Sequence, residues 1–180
     1  MQKFEITFKG STKTYEVPST WLDITVNTFI DVYKLQETFN EGDSQLSNLI
    51  KMFSLLINIE EEVLMSMDVA IFTQLKETIG FLYDSSDLSK VITTEKIRHK
   101  DKVLYVNTKF DNLTVQDMIT IEGINKDQTD LVFSMVPLLA YLIKEKNEEG
   151  ELVKTTVDCG ELRIIDVYSL IMVFSNGVAN

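Results

Sequence analysis

Several residue types are scarce in this chain of 180 residues, and each scarcity argues against a class of protein. There is one cysteine, Cys159, so no disulfide can form within the chain and nothing indicates an oxidising compartment. The one histidine, His99, lies far from that cysteine in sequence, so the two do not suggest a zinc site. The seven glycines form neither a Walker motif nor a dinucleotide fingerprint, and no phosphate-binding loop is predicted.

Long apolar runs are also missing. The longest nearly uninterrupted apolar stretch, residues 131–143, contains Ser134 and Pro137 and is shorter than the roughly 20 residues that span a bilayer. The first residues, Met1–Ile6, have no apolar core followed by a small-residue cleavage site, so a signal peptide is not predicted. We therefore expect no membrane partner.

Positive charge is the third scarcity. The chain has 17 basic and 28 acidic residues, which gives a formal net charge of −11. Because phosphate binding requires clustered cations, this balance predicts no nucleic-acid partner and no adsorption to anionic lipid. Hydrophobic residues at 44% and charged residues at 25% are typical of globular proteins and predict a self-sufficient core.

Candidate residues for chemistry are few. His99 stands between Arg98 and Lys100 in a predicted hairpin, which favours an exposed histidine in a turn. Cys159 lies among acidic residues that discourage a thiolate. The acidic runs at residues 60–62 and 145–151 are typical of solvated surfaces. We expect no catalytic residues, no metal and no cofactor, and a small-molecule ligand is not expected.

Hydrophobic periodicity predicts the elements. Phe4, Ile6 and Phe8 alternate with polar residues, so residues 3–17 are predicted to form a hairpin that Pro18 ends. Thr25 is a predicted helix cap. The further predicted helices are residues 46–57, 69–83, 131–144 and 166–174, and the short extended pieces are residues 91–93, 97–99 and 103–107.

The block Trp21–Val26 has a counterpart in Phe110–Val115, with Thr25 opposite Thr114. Each block follows a predicted hairpin and precedes an apolar helix. The sequence thus predicts an α+β fold, mostly helical, with two pseudo-repeats, residues 1–84 and 91–180, joined by a linker at 85–90. Convergence of ordinary helix-start chemistry is the alternative, and the copies can pack as one unit or as two lobes.

The predicted helix at residues 131–144 is apolar nearly all round, so it is either central in a core or docks onto a partner. Its partner-binding candidates are Phe133, Met135, Leu138 and Leu142. Pro137 is expected to kink or interrupt it. The six internal methionines are either core residues or the lining of an adaptable groove for partner helices.

Four features together resemble a known group of proteins. They are the hairpin at Glu5–Phe8, the segment Pro18–Trp21, the helix start Ile24–Val26, and the apolar helix with its following acids at residues 49–62. In these the chain is similar to small proteins of tailed-bacteriophage structural gene clusters, including those of crAss-like podophages. Such proteins look like tail-assembly chaperones or minor particle components, and the resemblance implies no catalytic residues.

The resemblance implies a non-enzymatic protein of a tailed bacteriophage that binds other phage structural proteins and is retained in the virion. A tail-assembly chaperone that leaves before maturation, acting in the host cytoplasm, is the alternative. An acidic host-directed inhibitor is a further alternative, and an enzyme would require two carboxylates that folding brings together.

Overall fold

The computed structural model describes residues 1–92, 94–106, 113–126 and 130–176, and in this part the protein is an α+β fold of eight α-helices and two small antiparallel sheets. The chain divides into two compact units. The first comprises Met1–Ile24 and Thr28–Ser85, and the second comprises Thr25–Asn27 and Ser86–Asn180.

The first unit begins with the predicted hairpin. Strand β1 (Gln2–Phe8) pairs with β2 (Ser11–Val17) so that Phe4 lies opposite Tyr15. Lys9 and Gly10 both have positive φ, at 49° and 79°, which is the backbone that a tight two-residue hairpin turn requires. The alternation places Phe4 and Ile6 in the core, as the sequence predicts.

Helices complete the first unit: α1 (Val26–Glu37), α2 (Gln45–Ile57), α3 (Glu61–Met65) and α4 (Val69–Thr78), with 3-10 turns at Trp21–Asp23 and Gly80–Tyr83. Asn58 ends α2 in the left-handed conformation, and the Asp68 carboxylate caps α4 by accepting from the Ala70 N–H at 2.7 Å. The hairpin and helices share one core. It consists of Phe4, Ile6, Val17, Val32, Ile50, Met52, Phe53, Ile57, Ile59, Val63, Leu64, Leu75 and Ile79.

The second unit contains α5 (Ser86–Lys90), β3 (Lys96–His99), β4 (Lys102–Val106), α6 (Val115–Lys126), α7 (Leu131–Leu142), β5 (Ile143–Lys146), β6 (Leu152–Lys154), a 3-10 turn at Cys159–Glu161, and α8 (Ile164–Asn176). The strands form one antiparallel sheet in the order β3–β4–β5–β6. A β-bridge between Thr25 and Arg163, with the Val26 N–H donating to the Leu162 carbonyl at 2.9 Å, joins residues 25–27 to this unit.

The division between the two units falls between Ser85 and Ser86, inside the predicted linker at residues 85–90. Most of that segment is not extended chain, because Ser86–Lys90 forms the short helix α5 and Leu88 is fully buried. Leu88 is the one apolar residue of α5, and its burial holds this otherwise polar helix against the rest of the second unit. The predicted helix at residues 69–83 is too long. It ends at Thr78, and a 3-10 turn at Gly80–Tyr83 follows.

The C-terminal half differs from the prediction at two further places. The predicted helix at residues 131–144 ends at Leu142, and the polar segment after it forms the hairpin β5–β6, whose turn places Gly150 at a φ of 84°. Pro137 does not interrupt α7, which continues through it. Residues 91 and 92 lie outside any strand, and Thr93 and Gly177, a predicted cap, lie outside the described residues.

A hairpin, a one-turn 3-10 helix and an α-helix follow one another twice in the described residues, and the second occurrence is not the predicted one. The first set is β1–β2, Trp21–Asp23 and α1, and the second is β5–β6, Cys159–Glu161 and α8. Thr25 and Arg163 each directly precede the helix of their set. Where the second copy was predicted to begin, the described residues form the hairpin β3–β4 and the helix α6, which begins directly after Thr114. Half of the predicted counterpart, residues 110–112 of 110–115, lies outside the described residues, so that pairing stays a prediction.

Candidate functional site

The predicted partner-binding residues lie in the core of the second unit rather than on a free surface. Met135, Leu138 and Leu142 on α7 are at most 3% exposed, and Phe133 is half-buried. A partner cannot reach Met135 or Leu138 without opening the unit, and only a small part of Leu142, on the wall of a cleft, is accessible. The predicted helix was expected either to be central in a core or to dock onto a partner, and the burial of its residues favours the core.

Cys159 and His99 are held in ways that do not activate them. Cys159 is buried, its thiol donates to the Val157 carbonyl at 3.8 Å, and burial together with the Asp158 charge raises its pKa to about 11. The sequence predicted that His99 is an exposed residue in a turn, and this prediction is wrong. His99 is the last residue of strand β3, its side chain is mostly buried, and its Nε2 lies 3.9 Å from a Glu161 carboxylate oxygen.

The described residues contain no group of three or more histidine, cysteine, aspartate or glutamate side chains that could hold a metal ion. Within the same part of the chain, no helix is both long enough and apolar enough to cross a bilayer.

An apolar groove of about 430 Å³ lies on the first unit, between α2, α3 and α4. We name it the α2–α4 groove. Its lining is mostly aliphatic, methionine and aromatic side chains. The residues are Ser44, Leu46, Ser47, Ile50, Glu61, Leu64, Met65, Met67, Val69 and Phe72.

The rim of the α2–α4 groove exposes large apolar side chains to solvent. Leu46 is 55% exposed, Met65 is 65% exposed and Val69 is 79% exposed. Below them, Leu64 and Ile50 belong to the core and form a floor, and Phe72 packs edge-on against the fully buried Phe53 at 5.4 Å. Adjacent exposed apolar residues of this kind are typical of a surface that another molecule covers.

The charge around the α2–α4 groove is negative. Its lining includes the Glu61 carboxylate and no lysine or arginine. Glu60 precedes it at the start of α3, and Asp68, the cap of α4, stands between the lining residues Met67 and Val69. An apolar floor with an acidic margin is complementary to a basic amphipathic segment.

A second cavity, of about 520 Å³, lies on the second unit. Its lining combines tyrosines, lysines and acids from the sheet, α6 and α7. The residues are Glu95, Lys96, Tyr105, Val106, Leu113, Asp117, Tyr141, Leu142, Lys144 and Leu152. We name it the Tyr105 cleft.

Asp117 fixes the helical wall of the Tyr105 cleft. Its carboxylate accepts hydrogen bonds from the Tyr141 hydroxyl, from the Thr114 hydroxyl at 2.7 Å and from the Thr114 N–H at 2.8 Å. These bonds, the one from Tyr141 foremost, lower the pKa of Asp117 to about 2. The Asp117 N–H in turn donates to the Thr114 hydroxyl, so the pair is a capping box for α6. Its first role is therefore structural.

Sequence reasoning located neither cavity. The predicted helix at residues 46–57 gave no sign that Leu46, near the start of α2, is 55% exposed. Two methionines of the proposed adaptable set, Met65 and Met67, do line the α2–α4 groove, while Met52 and Met135 are buried in cores. The methionine content was thus the one available signal for the groove.

Comparison of the chain with protein-family models, with curated proteins and with solved structures gives no match. The structure shows an α+β chain with two compact units.

Proposed function

We propose that this chain is a non-enzymatic, protein-binding component of a tailed-bacteriophage particle, and that it holds a basic amphipathic helix of another particle protein in the α2–α4 groove. The observation that carries the binding role is the exposed apolar rim of Leu46, Met65 and Val69 around a floor of core residues. The phage setting is supported by the resemblance of the N-terminal segments to tailed-phage structural proteins.

The chemistry of the groove defines the partner. Covering three large exposed apolar side chains is favourable at about 25 cal/mol per Å² of apolar surface removed from water. Methionines adapt to different apolar shapes because their side chains are unbranched and flexible. Glu61 at the margin favours lysine or arginine on the polar face of the docked helix.

The experiment combines mass spectrometry with site-specific crosslinking. The copy number of the chain is measured in gradient-purified phage particles and in the crude lysate. A photo-crosslinking amino acid is then introduced at Val69, and in a separate variant at Val115. Both valines are the first residue of a helix and are 79% and 78% exposed, but only Val69 lines the groove.

We expect a fixed copy number per particle and a crosslink from position 69 to one basic, amphipathic peptide of a particle protein, with little product from position 115. Abundance in the lysate with absence from particles would instead identify a chaperone or a host-directed inhibitor. Equal crosslinking from both positions would overturn the groove as the docking site.

A further inference from the structure

Basic side chains gather on the outer face of the second unit's sheet. In β3 and β4 the buried residues Ile97, Leu104 and Val106 alternate with exposed or half-buried ones, so the sheet has a core face and an outer face. Cross-strand pairing extends the outer face to β5 and β6. Its residues are Lys96, Arg98, Val103, Tyr105, Lys144, Lys146, Leu152 and Lys154.

This outer face carries five cations and no acidic residue at its strand positions, on a chain whose net charge is −11. Within the described part of the chain, none of the five cations forms an ion pair with a carboxylate. Lys144 lies directly opposite Lys154 in the β5–β6 pair. Like charges directly opposite each other destabilise a sheet, so this arrangement costs stability unless an anion lies between them.

Apolar and aromatic surface lies between the cations. Tyr105 stands in one cross-strand row with Lys96, Lys144 and Lys154. The ammonium groups of Lys96 and Lys146 lie 5.6 and 5.1 Å from the Tyr105 ring centre. Val103 and Leu152 on the same face are 42% and 57% exposed. On such a face the aromatic ring provides a surface on which a base can stack, and the cations around it provide contacts for phosphates.

We propose that this outer face, with the mouth of the Tyr105 cleft beside it, binds a single-stranded nucleic acid. Phosphates contact the lysines of β3, β5 and β6, and a base stacks on Tyr105 in place of the lysine ammonium groups that now cover the ring. The aromatic ring distinguishes this partner from an acidic polypeptide, which would use the charges but offers no bases to stack.

The acids of the cleft define the path of the strand. Asp117 keeps its negative charge on the helical wall, and Glu95 stands at the start of β3. Both repel phosphates, so the backbone runs along the strands β5 and β6, and it stays clear of the exposed acids Glu148, Glu149 and Glu151 in the turn between them. Binding by a locally basic face of an acidic protein is weak and strongly dependent on salt. The net charge of the whole chain led us to expect no nucleic-acid partner. The local charge of this face favours one instead.

The test is fluorescence anisotropy with labelled oligothymidylate and mixed-sequence RNA of about 12 nucleotides, a length within the site sizes of single-strand binders. Polyglutamate of equal charge serves as the competing acidic polypeptide. We expect a Kd of about 10 µM or tighter at low salt, within the range of sequence-independent binding. We expect polyglutamate to compete much more weakly than unlabelled oligonucleotide.

Two variants separate the local face from the total charge. Lys144→Gln with Lys154→Gln removes the opposed pair, and Lys3→Gln with Lys9→Gln removes two exposed lysines of the first unit's hairpin. Both change net charge equally. We expect the first double variant to weaken binding at least tenfold and to lower the salt slope by about 0.7 for each lost phosphate contact. The control is expected to stay within about twofold.

Tyr105→Leu tests the stacking step, with an expected loss on the order of tenfold at unchanged salt slope. Thermal unfolding of each variant checks the fold. Removing the Lys144–Lys154 repulsion is expected to offset the loss of the contact between Lys144 and the Tyr141 ring. An unchanged Tm of that variant therefore shows that a loss of binding does not come from unfolding. The absence of oligonucleotide binding at low salt, equal competition by polyglutamate, or equal loss in the control would overturn the proposal.

Discussion

Leu138 and Val173 lie on the contacting helices α7 and α8 of the second unit, in runs that are apolar nearly all round. The structure buries Leu138 completely and leaves Val173 46% exposed. The sequence pattern cannot separate them, because almost every position around each of the two residues is apolar. The contact surface of each residue, and hence its contribution to stability, is set by the neighbouring elements.

Leu138→Ala is therefore expected to lower the free energy of unfolding by about 2–5 kcal/mol, because it removes buried methyl groups and leaves a cavity. Urea denaturation followed by circular dichroism measures this loss. Val173→Ala is the control and is expected to change stability by no more than about 0.5 kcal/mol. Equal effects of the two substitutions would contradict the assignment of Leu138 to the core.

Among the elements, α6 and α7 are joined by a hydrogen bond between the Tyr141 hydroxyl and the Asp117 carboxylate. The same carboxylate closes the capping box at the start of α6. One side chain thus caps the start of α6 and joins this helix to α7. The hydrogen bonds from Tyr141 and Thr114 stabilise the ionised form of Asp117. Protonation of Asp117 in acid therefore weakens the contact between α6 and α7.

The pKa of Asp117 is about 2 in the folded protein and 3.8 in its ordinary state, so its ionised form stabilises the fold above about pH 4. That contribution is lost as the pH falls toward about 2. Tyr141→Phe removes the largest cause of the shift. The difference in Tm between wild type and Tyr141→Phe is therefore expected to be largest above pH 4 and to shrink toward pH 2.

Thermal unfolding between pH 2 and 7 measures this difference. Tyr15→Phe is the control, because Tyr15 is a half-buried tyrosine in the hairpin of the first unit. Its Tm difference from wild type is expected to be independent of pH over the same range. A constant difference for Tyr141→Phe would show that the hydroxyl does not hold the Asp117 pKa low.

At the scale of the whole molecule, the two units are not two consecutive halves of the chain. Residues 25–27 belong to the second unit, although the residues on both sides of them belong to the first. The β-bridge from Thr25 to Arg163 and the fit of Gly160 beside Asn27 hold this segment. A Cβ at position 160 would overlap the amide of Asn27, so only glycine fits there without a shift.

Gly160→Ala forces the exposed Asn27 side chain to move and is expected to destabilise the protein by about 1 kcal/mol, the low end of the usual cost of overpacking. Adding Asn27→Ala removes the amide that the new methyl group meets and is expected to recover most of that loss. A double-mutant cycle by urea denaturation measures the coupling. Additive effects would show that the two positions are not in contact, and that residues 25–27 do not pack on the second unit as described.

Several features were predictable because they depend on local chemistry. Alternation in residues 4–8 predicted the first hairpin, and the spacing of apolar residues predicted α2. Thr25, the predicted helix cap, directly precedes α1. The α+β class follows from counting such segments. These predictions succeed because periodicity and capping act within one element, where the sequence itself supplies both partners.

The remaining features depend on contacts between residues far apart in the chain, which periodicity does not encode. Leu88 converts a polar linker into α5 because other residues of its unit bury it, and residues 143–154 form strands because β4 provides a partner for β5. The alignment of Lys96, Tyr105, Lys144 and Lys154 in one row arises from cross-strand register alone. The sequence by itself therefore determined the local elements and the total charge. Tertiary packing decided which apolar residues are covered and where the few cations meet, because burial and register are properties of pairs of elements.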